Sequence, residues 1–135
     1  MTAKIGLMLV AIQYKWSTAE VLAPVVHLAC ELTPEVKSKI KTPEITLENM
    51  RKMDCLGIFQ DEAPIGAFLF SGREFHAAIL PEYRGKWMNR EFIKIMLEEK
   101  KKRGSLFTVL TEASPLVQLS VLHFCNRYGI EVRHD

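Results

Sequence analysis

The sequence has few of the residues that build metal centres, disulfide frameworks and nucleic-acid surfaces. Its 135 residues include three cysteines, Cys30, Cys55 and Cys125, which are far apart and set in apolar surroundings. Because no Cys-x-x-Cys pair occurs, we predict neither a zinc site nor a disulfide framework, and we expect a reducing compartment. The net charge of +2 is too small to predict nucleic-acid binding.

Hydrophobic runs long enough to cross a bilayer are also missing. The apolar run from Ile5 to Ile12 is too short to span a membrane and lacks an Ala-x-Ala-like cleavage site. We therefore expect a buried strand there, no membrane partner and a cytoplasmic protein. Apolar residues make up 48% of the chain, and no repeat or low-complexity segment is evident. These features predict a single folded domain over residues 1–135.

The first half of the chain has the pattern of a strand followed by helices. Ser17-Thr18-Ala19-Glu20 has the form of a capping box, with Ser17 as the N-cap, and Pro24 is expected to kink or restart the helix that follows. The predicted elements are a strand at Ile5–Trp16, a helix ending near Leu32, a helical turn at Thr33–Glu35, a loop at Lys37–Pro43 and a short helix at Thr46–Met53 capped by Thr46.

The second half begins with strand-like segments separated by turns at Asp61-Glu62-Ala63-Pro64 and Gly72-Arg73, and two consecutive hairpins predict an antiparallel meander. Its predicted strands are Cys55–Gln60, Ile65–Ser71 and Glu74–Leu80. A long amphipathic helix then carries Phe92, Ile93, Met96 and Leu97 on one stripe. The last predicted elements are a strand at Leu106–Thr111, a helix at Leu116–Tyr128 that Ser114-Pro115 begins and Gly129 ends, and a strand at Ile130–Arg133.

A basic turn, Tyr83-Arg84-Gly85-Lys86, joins the last meander strand to the long helix. The first N–H groups of a helix have no partner inside it, and the helix dipole favours an anion there. Because Arg84 and Lys86 add positive charge at the same place, the turn is a candidate anion site. The alternative is a solvated connection that binds nothing.

The segment Pro81-Glu82-Tyr83-Arg84-Gly85-Lys86 resembles the part of the GNAT acyltransferase superfamily that precedes and grips coenzyme A. In that family a loop of the form Arg/Gln-x-x-Gly-x-Gly/Ala opens the main helix, and its amides hold the pyrophosphate. Arg84 matches the first position, whereas Trp87 and Asn89 stand at the two small positions. The resemblance implies acetyl-CoA or CoA as ligand, bound by Ala78, Ile79, Leu80, Arg84, Gly85, Lys86, Trp87, Met88 and Asn89.

A second likeness covers Gln118 to Ile130, which is similar to the late GNAT segment Asn-x-x-Ala…Phe-Tyr-x-x-x-Gly-Phe. Phe124 and Gly129 match the family's Phe and Gly, while Cys125 stands where the family has a Tyr that often acts as general acid. The predicted order of elements is also that of the GNAT fold. The resemblance therefore implies an α/β (α+β) protein with a mixed, largely antiparallel sheet flanked by helices, truncated at the C-terminal hairpin.

Acyl transfer to an amine needs a polarised thioester carbonyl, a base for the amine proton and an acid for the leaving sulfur. By resemblance, strand amides around Ala77 to Leu80 would polarise the carbonyl. Glu74 and His76 share one strand face and are the candidate bases, the alternative being an exposed strand face. Cys125 is the candidate acid or nucleophile, the alternative being an inert core thiol. Trp87 is a core residue, a lid on the cofactor cleft or an interface anchor.

Two functions follow from these patterns. The first is an acyl-CoA-dependent N-acyltransferase with an unknown amine acceptor, favoured by Arg84-Gly85-Lys86. The second is a non-catalytic GNAT-fold module that binds a protein or a second copy of itself, favoured by Trp87, Asn89 and Cys125 at degenerate motif positions. Short degenerate GNAT-like chains resemble some phage-encoded accessory and virion proteins, which would place the chain in a host cytoplasm or a virion. No metal ligand set is predicted.

Overall fold

The computed structural model describes residues 12–31, 42–110 and 115–134, which form a six-stranded sheet with helices on both faces. The strands are β1 (Ile12–Ser17), β2 (Asp54–Gln60), β3 (Ala63–Ser71), β4 (Glu74–Ile79), β5 (Phe107–Leu110) and β6 (Glu131–His134). The helices are α1 (Ala19–Glu31), α2 (Pro43–Met50), α3 (Arg90–Arg103) and α4 (Pro115–Tyr128), and a short 3-10 helix spans Pro81–Tyr83.

The strands lie in the sheet in chain order. The first four are joined by antiparallel pairing, whereas β5 runs parallel to both β4 and β6. The sheet is therefore mixed and largely antiparallel, as the sequence predicted. Strands β4 and β5 are joined through α3, and β5 and β6 through α4, because a parallel connection needs a crossover.

Two hydrophobic cores lie on the two faces of the sheet. Side chains alternate along the strands, so on β2 Cys55 and Phe59 face α1 and α2, while Leu56 and Ile58 face α3 and α4. The α1 side is filled mainly by Leu22, Val26, Met50, Ala67 and Leu69. The α3 side is larger and more aromatic, with Tyr14, Phe68, Phe70, Phe75, Trp87, Phe92, Met96, Phe124 and Cys125.

A β-bulge interrupts the pairing of β2 with β3. Phe59 lies opposite Pro64 and Ile58 lies opposite Gly66, so Ile65 is the extra residue. Ile65 joins the core on the α3 side. Gly66 is required beside it, because a Cβ there would lie 2.6 Å from the carbonyl oxygen of Ala78 on β4.

The start of α1 differs from the prediction by one residue. Ser17 is still paired with Cys55 in the sheet, and its hydroxyl donates to the carbonyl of Lys15 at 3.1 Å. The carbonyl of Thr18 accepts the first helical N–H groups, so Thr18 holds the cap position and the prediction for Ser17 is wrong. The helix does not restart at Pro24 but continues to Glu31.

Helix α2 also starts earlier than predicted. Thr42 is its N-cap, accepting the N–H of Ile45 at 3.2 Å, and Pro43 takes the first helical position, where a missing N–H costs nothing. Thr46 is therefore an interior residue, and its hydroxyl lies 2.8 Å from Nδ1 of the buried His27 on α1. The predicted turn at 33–35 and the first part of the predicted strand at 5–16 lie outside the described residues.

Arg103 joins the end of α3 to the sheet. Its guanidinium donates to Asp54 at 2.8 Å, to Glu99 at 2.9 Å and to the carbonyl of Gly72 at 2.7 Å, and it lies over the ring of Phe70. The side chains of Arg103 and Glu99 are only 15% and 8% exposed. The pair is therefore shielded from water, unlike the exposed pair of Arg51 with Glu20.

We expect Arg103→Met to lower the free energy of unfolding by about 3 kcal/mol, because it leaves the carboxylate of Glu99 buried without a partner. The matched variant Arg51→Met breaks an exposed ion pair and should cost less than about 1 kcal/mol. Urea denaturation followed by circular dichroism measures both. Equal losses for the two variants would contradict the role assigned to Arg103.

The cysteines differ in burial and should differ in reactivity. Burial raises the pKa of Cys125 to about 11, and burial also raises the pKa of Cys55. Burial raises the pKa of Cys30 as well, so access and not pKa separates the three thiols. Cys55 and Cys125 are buried, whereas Cys30 is half-buried. We expect iodoacetamide to label Cys30 in the native protein and to label Cys55 and Cys125 only after denaturation, as measured by peptide mass spectrometry. Native labelling of Cys125 would contradict its placement.

Candidate functional site

The β4 and β5 strands pair at their first residues and then diverge. Their ladder has one pair, Glu74 with Phe107, whereas β3 and β4 share six pairs and β5 and β6 share four. The amide of Phe107 donates to the carbonyl of Arg73 at 2.9 Å. Beyond this point a gap opens between β4 and β5, and we call it the β4–β5 gap.

Peptide groups of β4 point into the β4–β5 gap. The amide of Leu80 donates to the carbonyl of Ile65 on β3 at 3.0 Å. Successive peptide groups of a strand point in opposite directions, so those of Ala77 and Ile79 point toward β5. Ala77 is exposed. This edge of β4 can therefore hydrogen-bond an extended ligand in the way that a neighbouring strand would.

Arg84 lies against the end of this edge. Its Nε donates to the carbonyl of Ile79 at 3.3 Å. The guanidinium also lies close enough to Cys30 on α1 to oppose the rise in the pKa of that thiol, which burial raises. The hydrogen bond to Ile79 thus holds the guanidinium of Arg84 at the end of β4.

The loop that follows β4 is closed by its own backbone. The amide of Tyr83 donates to Leu80, that of Arg84 to Pro81 and that of Lys86 to Tyr83, at 2.9 to 3.3 Å. Gly85 has a φ of 82°, which favours glycine, and among the described residues no heavy atom lies within 4 Å of where a Cβ would stand. Three amides of the loop are therefore used within the loop itself, and Arg84 and Lys86 supply its positive charge.

Trp87 is a core residue. Its ring lies 5.2 Å from that of Phe68 and 4.7 Å from that of Phe92, and its carbonyl accepts the hydroxyl of Tyr14 on β1. Met88 is half-buried and packs against the same core. The large ring thus points into the protein at a position where the GNAT motif has a small residue.

Asn89 caps α3. Its side-chain oxygen accepts the N–H of Phe92 at 3.1 Å. Of the first-turn amides, those of Arg90 and Glu91 are the ones the helix cannot satisfy. Glu91 adds a negative charge beside them. The anion-binding capacity of this helix start is therefore lower than its position suggests.

Glu74 and His76 lie together on the face of β4 that α1 covers. Oε2 of Glu74 is 3.1 Å from Nε2 of His76, and both side chains are partly exposed. Glu74 sits where β4 and β5 are paired, five residues or about 17 Å along the strand from Ile79. Cys125 is fully buried on the opposite face of the sheet. The structure therefore does not bring Cys125 together with Glu74 and His76.

A separate groove of about 590 Å³ lies near the starts of α1 and β2 and the end of α3. Its charged residues are largely paired with one another, Arg51 with Glu20 and Arg103 with Asp54 and Glu99. We therefore place the candidate site at the β4–β5 gap. In the described ranges, no group of His, Cys, Asp and Glu could hold a metal ion.

Two contributors to the site were not identified from the sequence. Thr108 donates its hydroxyl to the carbonyl of Phe75 at the point where the strands diverge, at 2.9 Å. Tyr14 holds the start of α3 from a strand far away in the chain. Neither residue belongs to a local motif, so sequence pattern carries no signal for them.

The helices in the described part of the chain are too short or too polar to span a bilayer.

The sequence matches no protein-family model and no curated protein. The structure is similar to an acetyltransferase of the GNAT family from Streptococcus pneumoniae, with 12% identity and a TM-score of 0.58 over 88% of this chain and 84% of that chain. A ribosomal-protein-alanine N-acetyltransferase from Brucella melitensis biovar Abortus 2308 aligns with 14% identity and a TM-score of 0.49 over 84% of this chain and 87% of that chain. The first of these likenesses shows that the chain has a GNAT-like fold.

Proposed function

We propose that this protein binds acyl-CoA in the β4–β5 gap and transfers the acyl group to an amine. The observation that carries the proposal is the early end of the β4–β5 ladder, which leaves the peptide groups of Ala77 and Ile79 directed into the gap. The GNAT-like fold supports it, because the gap is followed by the loop and helix that resemble the coenzyme-binding segment of that family.

The described residues fit coenzyme A in part. The β4 edge offers backbone partners to its extended, amide-bearing arm, and Arg84, Lys86 and Arg90 offer positive charge for its phosphates. Asn89 fits less well because its side chain accepts the N–H of Phe92, a first-turn amide that a phosphate could otherwise use. Glu91 fits less well because its negative charge repels an anion. We therefore expect the phosphates to be held mainly by side chains and only partly by loop amides.

When bound, acyl-CoA supplies an acyl group activated as a thioester. The amides of Ala77 and Ile79 would polarise its carbonyl from β4. The Glu74–His76 pair would take the proton from the amine, directly or through a water, since His76 is next to Ala77 in β4. Cys125 is poorly suited as acid or nucleophile, because it is enclosed in the core and its pKa is raised to about 11.

A non-catalytic module with the same fold is the second candidate. Two observations favour it. Several loop amides already hydrogen-bond within the loop, and Trp87 packs into the core at a motif position where the GNAT family has a small residue. In that case the protein would bind another protein or a second copy of itself. Binding of CoA without turnover would be consistent with this candidate.

Calorimetric titration with acetyl-CoA, and separately with CoA, tests binding. We expect saturable binding in the micromolar range, and Arg84→Ala should weaken it roughly tenfold because a charge-assisted phosphate contact is lost. Arg51→Ala is the matched control, since it removes an exposed arginine that lines the separate groove. An absence of heat at high ligand concentration would contradict the proposal, and equal weakening by both variants would remove Arg84 from the site.

Glu74→Gln and His76→Ala test the base assignment. We expect each to lower the rate of acetyl transfer to an amine by roughly a hundredfold, the lower end of what a general base contributes, with little change in the affinity for acetyl-CoA. If neither variant slows transfer in an active preparation, the Glu74–His76 pair is not the base.

A further inference from the structure

The place where β4 and β5 part is marked by one side chain. In a parallel ladder, every second residue of one strand donates its N–H to, and accepts at its C=O from, the neighbouring strand. Phe107 donates its N–H to the carbonyl of Arg73. The next N–H along β5 that could bond to β4 is that of Val109, and its partner would be the carbonyl of Phe75. The carbonyl of Phe75 accepts the hydroxyl of Thr108, at 2.9 Å. The ladder accordingly has the single pair Glu74 with Phe107.

The carbonyl of Phe75 needs the hydroxyl of Thr108 as a hydrogen-bond donor because both residues are buried. A buried carbonyl without a partner is costly, and water has little access to supply one. The hydroxyl of Thr108 satisfies Phe75 and so removes the main reason for the amide of Val109 to close onto β4.

Beyond Phe107, β5 continues to pair with β6 and not with β4. The amide of Glu131 donates to Leu106, and β5 continues to pair with β6 through Val109 and Leu110. Phe107 and Val109 alternate with these contacts, so the amide of Val109 points toward β4 across the β4–β5 gap. A hydrogen bond from this amide to the carbonyl of Phe75 would extend the ladder and narrow the β4–β5 gap.

We propose that Thr108 is a positioning residue that ends the β4–β5 ladder and holds the β4–β5 gap open for acyl-CoA. The inference about acyl-CoA rests on the proposed function, whereas the inference about the ladder does not. Threonine suits this task, because it fills a strand position with a β-branched side chain and also carries a hydroxyl that can replace a backbone donor.

Amide hydrogen exchange measured by NMR tests the ladder. Thr108→Val keeps the shape and removes the hydroxyl, so Val109 N–H should close onto Phe75 and exchange roughly tenfold more slowly, as expected for one added hydrogen bond. A merely structural role for Thr108 predicts the opposite sign, because destabilisation speeds exchange. Thr108→Ser keeps the hydroxyl and should retain the exchange rates of the natural sequence.

A titration with CoA on the same variants tests the consequence. We expect Thr108→Val to weaken CoA binding roughly tenfold and Thr108→Ser to restore it, because added pairing competes with the ligand for the β4 edge. If the natural protein binds no CoA but Val109 still becomes protected in Thr108→Val, the proposed function fails and the role of Thr108 in the ladder stands.

Unchanged or faster exchange at Val109 in Thr108→Val would overturn the inference. Should that variant fail to fold by circular dichroism, Thr108→Ala provides the same measurement, because it also lacks the hydroxyl and cannot clash in the core. Protection of Val109 in Thr108→Ser equal to that in Thr108→Val would likewise overturn it, since the hydroxyl would then make no difference.

Discussion

The demand of buried backbone groups for hydrogen-bond partners determines how this fold opens a site. Strand β4 is fully paired on the β3 side, and on its other side it has a strand partner only at its start. Two side chains meet the demand at the ends of the unpaired edge, Thr108 at the carbonyl of Phe75 and Arg84 at that of Ile79. The peptide group of Ala77 lies between them, at the exposed centre of the edge.

The loop before α3 is held by aromatic packing. Tyr14 donates its hydroxyl to the carbonyl of Trp87, and Phe68 and Phe92 enclose the indole ring. Large aromatic side chains supply much of the energy of a core. The start of α3 is therefore ordered by the protein itself, and a ligand would find Arg84 and Lys86 already presented without having to organise the loop.

The elements that local patterns specify were predictable from the sequence. The meander follows from its turn residues and α3 from helical periodicity. Strand alternation places Glu74 and His76 on one face, in agreement with their 3.1 Å contact. The helix starts at Thr18 and Thr42 were missed, because several Ser and Thr residues could cap and tertiary pairing chose among them. The contacts of Thr108 with Phe75 and of Arg103 with Asp54 join residues 33 and 49 positions apart, and no local pattern encodes them.

The bulge at Ile65 has a consequence for how this chain is aligned with others of the same fold. It places Ile65 and Gly66 together opposite Ile58, so the facing of every later residue in β3 depends on that one added position. An alignment with a relative that lacks the bulge needs a one-residue gap at Ile65. Without the gap, Phe68 and Phe70 would be equated with residues that face the opposite core.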